Sequence, residues 1–142
     1  MDKGECMMKK MGVLLVFCVL LLMACGKEEQ TDDQAEVAFL EVDLSISPEK
    51  AKVNEPVTFK AKVTYGGKPV EDADEVKFEI WRSQSEDHEK IEIKHAKEGI
   101  YALEKTFKEE GTYYIYAHVT AEAMHSMPKK EFTIGRPSEP EE

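Results

Sequence analysis

Hydrophobic and polar residues alternate along the chain between residues 40 and 134, and turn residues separate the alternating segments. A period of two is typical of strands that bury one face, so the pattern predicts short strands rather than helices. The predicted strands lie at residues 40–46, 57–63, 76–81, 91–95, 101–107, 113–121 and 132–134. Seven strands at this spacing predict an all-β fold, an antiparallel β-sandwich.

Three positions refine this prediction. Lys105 falls on the hydrophobic face of the fifth strand, which indicates a bulge or an early end of that strand. The segment Glu109-Glu-Gly-Thr-Tyr113 resembles the lead into the tyrosine corner of an immunoglobulin-like domain, which makes the predicted sandwich immunoglobulin-like. Trp81 has the opposite parity to Phe78 and Ile80, so the pattern leaves its role open.

The amino terminus has the features of an export signal. Lys9 and Lys10 precede an apolar run that ends at Ala24, too short for a transmembrane helix and typical of a secretory signal. The run closes with Leu22-Met-Ala-Cys-Gly26, which resembles a bacterial lipobox. We therefore expect Cys25 to become the first mature residue and to carry the lipid, palmitate included. The alternative is an ordinary signal peptide followed by a chance cysteine.

The interpretation of the amino terminus as a lipoprotein signal predicts where the protein is located. The protein would be a lipoprotein, anchored to the cell membrane through acylated Cys25 with its domain on the extracytoplasmic face. Cys6 and Cys18 would leave with the signal, so no disulfide could form in the mature chain although the compartment permits one. Met7 and Met8 are alternatives to Met1 as the natural start.

Composition divides the chain into four parts. Residues 1–24 form the predicted lipoprotein signal peptide, and residues 25–38 form the lipidated cysteine with an acidic, flexible linker. Residues 39–135 form the predicted sandwich domain, and residues 136–142 form a tail that we expect to be disordered.

The net charge and the absence of catalytic motifs narrow the range of functions that the sequence allows. The formal net charge is −10 at pH 7, which disfavours nucleic acid as a partner. The mature chain would have no free thiol, and the sequence has neither a Gly-x-Ser-x-Gly elbow nor a glycine-rich phosphate loop. We therefore expect this protein not to be an enzyme.

A segment of thioether and imidazole side chains, Met124-His-Ser-Met127, falls in the predicted loop between the last two strands. Connections in a sandwich alternate between its two ends, so the loops after the second, fourth and sixth strands share one end. This argument brings His95 next to the segment. It leaves His118 lower on the sixth strand as a possible additional ligand, and it makes His88 a solvated surface histidine at the opposite end.

Several motifs from Val37 onward resemble the YtkA-like family of bacterial lipoproteins, which is related to the FixH proteins. They are Phe78-Glu-Ile-Trp81, His95, Gly99-Ile-Tyr101, Glu104-Lys-Thr-Phe107, Gly111-Thr-Tyr-Tyr114, Ala117-His-Val-Thr-Ala121 and Met124-His-Ser-Met-Pro-Lys129. The resemblance implies a small immunoglobulin-like sandwich outside the membrane. FixH proteins are associated with copper supply and with assembly of respiratory oxidases, so the resemblance also favours copper handling.

The thioether and imidazole donors of these residues are also consistent with copper binding. Soft sulfur favours Cu(I), and imidazole accepts Cu(I), Cu(II) and Zn(II). The hypothesis is copper binding and delivery, to a copper-accepting protein or a respiratory oxidase under assembly. The predicted metal ligands are His95, His118, Met124, His125 and Met127.

Two alternatives remain open: a metal-free immunoglobulin-like interaction module, and an accessory subunit of a membrane complex. In both, the methionines and histidines are ordinary loop and strand-end residues. The sequence leaves open the oxidation state of the copper, the acceptor and the oligomeric state.

Overall fold

The structure, a computed structural model, describes residues 37–140. The predicted signal peptide, the lipidation site Cys25 and nearly all of the linker lie outside the described residues. Within residues 37–140 the regular structure is entirely strand, and no helix there is long and apolar enough to cross a membrane.

The described chain forms ten strands, seven of which correspond to the seven alternating segments of the sequence. They are β1 (Leu40–Ser47), β2 (Lys50–Ala51), β3 (Val57–Tyr65), β4 (Lys68–Pro69), β5 (Glu75–Arg82), β6 (Glu89–Glu92), β7 (Ile100–Lys105), β8 (Gly111–Ala121), β9 (Met124–Ser126) and β10 (Lys129–Ile134).

The strands form two sheets. In the first sheet, β3 is central, with β1 along one side and β7 and β4 along the other. The second sheet has the order β2-β10-β8-β5-β6, and β9 pairs with the end of β8. All of these pairings are antiparallel except that of β2 with β10. The prediction of an all-β, immunoglobulin-like sandwich is confirmed.

The core forms where the inward-facing residues of the two sheets meet. Phe59 of β3 is fully buried, and its ring centroid lies 5.1 Å from that of Phe132 and 6.2 Å from that of Phe107. Both ring pairs are edge-on, a favourable arrangement for buried aromatic rings. On β8, alternate residues from Tyr113 to Ala121 are buried. The opposite residues of β8 therefore face outward.

Two details predicted from the sequence pattern are present in the structure, the tyrosine corner and the early end of β7. The Tyr113 hydroxyl donates a 2.8 Å hydrogen bond to the carbonyl of Glu109, which confirms the tyrosine corner. Burial raises the pKa of Tyr113. Strand β7 ends at Lys105, so the early end of the strand is confirmed. The Lys105 ammonium lies 2.9 Å from a carboxylate oxygen of Glu89 and 5.5 Å from the centroid of the Phe107 ring.

The carboxyl-terminal segment differs from the prediction of a disordered tail from residue 136. The Ser138 hydroxyl accepts a 3.0 Å hydrogen bond from the amide of Thr112, and the Ser138 amide donates one of 3.1 Å to the Thr112 hydroxyl. Arg136 also lies 3.1 Å from the carboxylate of Glu110. This reciprocal pairing satisfies the backbone amides of Thr112 and Ser138 at the end of the sheet.

Candidate metal centre

One face of the second sheet, its outer face, is turned away from the core. On β8 this face consists of Tyr114, Tyr116, His118 and Thr120, which alternate with the buried residues. The alternation predicted His118 on the outward face, and the structure places it there.

The segment that follows β8 is a strand, not the predicted loop. Ala121 pairs with Met124, so Glu122 and Ala123 are the only residues in the turn. Both have positive φ angles, 51° and 59°, as in a two-residue hairpin of type I′. Such turns usually contain Asn-Gly, and the Glu-Ala pair therefore did not indicate a hairpin. The correction matters because a strand fixes where each side chain of the segment points.

The hairpin register brings His125 and Met127 to the outer face. His125 pairs with Thr120, an outward residue. The pairs Ser126 with Val119 and Lys129 with Tyr116 have one common register, which places Met127 opposite His118. Met127 is 45% exposed, so its thioether is accessible.

His118 and His125 lie close enough to act together. Their ring centroids are 5.9 Å apart and their planes are inclined by 31°. The bond from a metal to an imidazole nitrogen is about 2.0–2.1 Å long, so rings at this separation can hold one ion between them. Nδ1 of His125 is 2.9 Å from the Thr120 hydroxyl, which leaves Nε2 as the nitrogen for a metal.

Glu79 of β5 contacts two imidazoles at once. Its Oε2 lies 2.8 Å from Nε2 of His118, and its Oε1 lies 3.1 Å from Nδ1 of His88. Its side chain is only 14% exposed. The hydrogen bond from His118 is the largest influence and lowers the pKa of Glu79, against the opposing effect of burial. Glu79 is therefore ionised at neutral pH.

His88 is at the surface, as predicted, but it is not a freely solvated side chain. Its ring stacks on Trp81, with centroids 4.5 Å apart and planes only 6° apart, in addition to its bond to Glu79. The sequence argument considered only which end of the sandwich the residue occupies. It missed that the connection between β5 and β6 lies against the outer face.

Trp81, whose role the sequence left open, packs against aromatic rings on this outer face. Its ring centroid is 5.6 Å from that of Tyr114 and 5.2 Å from that of Tyr116. The Lys129 ammonium lies 4.7 Å from the centroid of the Tyr114 ring and 5.4 Å from that of Trp81. At these distances the Lys129 ammonium makes cation–π interactions with the aromatic rings.

The structure does not bring His95 or Met124 to the pair formed by His118 and His125. His95 follows β6, and β5 and β8 separate β6 from β9. Neighbouring strands lie about 4.8 Å apart, so three spacings amount to about 14 Å. The sequence argument placed His95 at the correct end of the sandwich but took no account of the lateral order of the strands. Met124 pairs with buried Ala121 and therefore has inward parity.

The chemistry of the donors decides which metal they fit. No group of three or more His, Cys, Asp or Glu side chains within residues 37–140 could hold a metal ion. The donors that the outer face brings together are the imidazoles of His118 and His125 and, by register, the thioether of Met127. Two imidazoles and one thioether fit copper, since sulfur ligands select Cu(I), and they do not fit calcium or magnesium.

Sequence reasoning missed Glu79. Its parity with Glu75 and Lys77 indicates an outward position on the third predicted strand. Only the pairing of β5 with β8, in which Lys77 is opposite His118, brings its carboxylate within hydrogen-bonding distance of the imidazole.

Comparison with known proteins identifies one matching family. A family model described as YtkA-like matches residues 34–118, more than half of the chain. The matched segment ends at His118 and does not include His125 or Met127. No match was found among curated proteins.

Solved structures with a similar strand arrangement are distant in sequence. The CARDB domain of the PF1109 protein from Pyrococcus furiosus, in complex with di-metal ions, is 17% identical, with a TM-score of 0.45 over 70% of this chain and 90% of that chain. The PmoD soluble domain from Methylocystis sp. is 10% identical, with a TM-score of 0.46 over 70% and 97%.

A β-glucosidase from Listeria innocua in complex with glucose is 11% identical, with a TM-score of 0.46 over 70% of this chain. This chain spans only 16% of the length of that enzyme. These likenesses concern the arrangement of strands alone. The family match covers the folded region from its first strand to His118 on β8. This protein belongs to the YtkA-like family.

Proposed function

We propose that this protein is an extracytoplasmic, membrane-anchored lipoprotein that binds copper on the outer face of its second sheet. The observation that carries the proposal is the pair of imidazoles of His118 and His125, 5.9 Å apart, with Met127 opposite His118. These residues are three of the five ligands predicted from sequence. His95 and Met124 have no part in the proposed site, because the strand order and the hairpin register direct them elsewhere.

The three donors suit a copper ion that is held and then passed on. Nδ1 of His118, Nε2 of His125 and the Met127 sulfur would hold the ion. The imidazoles are acceptable to both oxidation states, and the thioether favours Cu(I). The site lies on an open sheet face with an exposed methionine, so an acceptor protein can approach it directly. We propose that the acceptor is a copper-receiving protein or a respiratory oxidase under assembly.

Membrane attachment through Cys25 is part of the same proposal. A lipobox-like sequence precedes the acidic linker, and about a dozen residues separate Cys25 from the first described residue. The acidic composition of this segment predicts a solvated tether, which would let the domain reach a partner at the membrane surface.

A copper titration tests the proposal. The mature chain, made soluble by Cys25→Ser, would be titrated with Cu(I) against a competing chelator. We expect one copper per chain and at least a tenfold loss of affinity in His118→Ala and in His125→Ala. His95→Ala is the matched control and should bind as the parent does. Unchanged affinity in a His118→Ala, His125→Ala double variant would rule out this site.

One observation favours the second candidate, a metal-free interaction module. Trp81, Tyr114 and Tyr116 form a row of partly buried rings under Lys129 on the same face. Tryptophan and tyrosine are enriched in protein interfaces, where they supply most of the binding energy. If the purified protein binds no copper, this row becomes the surface to test by substitution for a partner protein.

A further inference from the structure

Glu79 has hydrogen-bonding partners on both of its carboxylate oxygens, and both partners are imidazoles. Its Oε2 contacts Nε2 of His118 and its Oε1 contacts Nδ1 of His88. An ionised carboxylate can only accept hydrogen bonds, so both of these nitrogens must carry a proton. The tautomer of His118 is thereby fixed, and Nδ1 is left with the lone pair that a metal requires.

His88 fixes the carboxylate from the other side. Its ring stacks on Trp81 at 4.5 Å, and Trp81 in turn lies 5.2 Å from Tyr116. The imidazole of His88 is therefore held in place, and Glu79 can rotate away from His118 only by giving up its bond to His88. With 14% of its side chain exposed, Glu79 also has little water to bond to instead.

A carboxylate behind a metal-bound imidazole does more than orient it. Hydrogen bonding to the carboxylate raises the basicity of the imidazole, and the negative charge stabilises a doubly charged ion more than a singly charged one. The thioether of Met127 acts in the opposite direction, because sulfur favours Cu(I). The site therefore combines the Glu79 carboxylate, which favours Cu(II), with the Met127 thioether, which favours Cu(I).

We infer that Glu79 is a positioning residue that presents Nδ1 of His118 to copper and favours Cu(II), and that His88 holds Glu79 in that position. The inference rests on the copper site proposed above. It assigns a role to two residues that do not contact the metal. It also predicts that the site holds copper in both oxidation states, with Glu79 and Met127 setting the balance in opposite directions.

The first test needs no metal. Imidazole ¹⁵N NMR of the metal-free mature chain with Cys25→Ser, at a pH where the histidines are neutral, reports the tautomer of each ring. We expect His118 to carry its proton on Nε2 in the parent and to show an increased Nδ1–H population in Glu79→Gln. An identical tautomer distribution in both proteins would overturn the positioning role, whether or not copper binds.

The second test measures both oxidation states of copper in the same proteins. Loss of a carboxylate partner of a metal-bound histidine costs about 10- to 100-fold in affinity. We expect Glu79→Gln to lower Cu(II) affinity by this factor and Cu(I) affinity by much less, so the copper reduction potential rises. Met127→Leu should lower Cu(I) affinity more than Cu(II) affinity, which moves the potential downward. His88→Ala should shift the potential in the same direction as Glu79→Gln, by a smaller amount.

Glu131→Gln is the matched control for charge. Glu131 lies on the same outer face opposite Tyr114, well away from His118 along β8, and its loss removes the same charge. Both affinities should stay within about twofold of the parent in this variant, because a charge exposed to water is strongly screened. If the parent binds copper through His118 and Glu79→Gln changes neither the tautomer nor the ratio of affinities, the inference is wrong. If the parent binds no copper, the proposed function itself fails.

Discussion

The contacts of His118 depend on the residues opposite it on the neighbouring strands. The alternation of the sixth predicted strand placed its side chain outward, and this was correct. Parity along the last strand allowed Met127 to face the same side as His118, but the sequence did not indicate that the two would be directly opposite each other. It also did not indicate that Glu79 would accept the hydrogen bond of His118. Those contacts depend on the register of one hairpin and on which strand pairs with β8, and local residue patterns specify neither.

The Glu79 carboxylate should make stability depend on pH. Its pKa in the folded protein is lowered, chiefly by the hydrogen bond from His118, so the ionised form stabilises the fold. This contribution is complete above the pKa of an unfolded glutamate, near 4.3, and is lost as the pH falls through the folded value. Urea unfolding from pH 3 to 7 should show Glu79→Gln less stable by about 1.5 kcal/mol at neutral pH. The difference should shrink below about pH 4. A constant difference would contradict this account.

Tyr113 offers a second test at this scale. Tyr113→Phe removes the hydroxyl that bonds to the Glu109 carbonyl and keeps the ring packed against Phe107 and Phe132. We expect the free energy of unfolding to fall by about 1 kcal/mol, the contribution of one hydrogen bond. Tyr114→Phe is the control, because Tyr114 lies on the outer face, and it should change stability by less than about 0.5 kcal/mol.

The β8–β9 hairpin is the element beside the candidate site that the sequence did not predict. Seven strands were predicted from their alternation, and β2 and β4 were too short to produce a pattern. The hairpin was missed because its turn residues, Glu122 and Ala123, are not the usual Asn-Gly pair. The same omission placed Met124 and Met127 together in a loop, whereas the common register against β8 gives them opposite parity.

Ala123→Gly should stabilise this hairpin. Ala123 has a φ of 59°, which is strained for a residue with a Cβ and unstrained for glycine. We expect the free energy of unfolding to rise by about 0.5–1 kcal/mol, measured by urea denaturation. The matched control is Ala102→Gly in the exposed face of β7, where glycine has no such advantage and should cost about 0.5–1 kcal/mol. Equal destabilisation by both variants would contradict the positive φ of Ala123.

At the scale of the whole molecule, the sandwich class and the family follow from the sequence, but the lateral order of the strands does not. The alternation of loop ends correctly put His95 and the β8–β9 turn at one end. Strand order within the second sheet then separated them by two strands. Within the predicted tail, Ser138 pairs with Thr112 at the end of the second sheet.

Anchoring is tested directly by acyl labelling of the full chain in bacterial cells. The wild-type protein should incorporate labelled palmitate and fractionate with membranes, because several acyl chains on one residue hold a protein firmly at a bilayer. Cys25→Ser should abolish the label, whereas Cys18→Ser, within the predicted signal, should retain it. Label retained by Cys25→Ser would contradict the lipoprotein assignment.

The measurement that tests the central claim most directly is X-ray absorption spectroscopy of the Cu(I)-loaded mature chain carrying Cys25→Ser. The proposed site predicts one sulfur and two imidazole nitrogens around the copper. Met127→Leu should remove the sulfur contribution, and Met124→Leu should leave it unchanged. A copper environment without sulfur in the parent, or a sulfur contribution that survives Met127→Leu and disappears in Met124→Leu, would contradict a site built from His118, His125 and Met127.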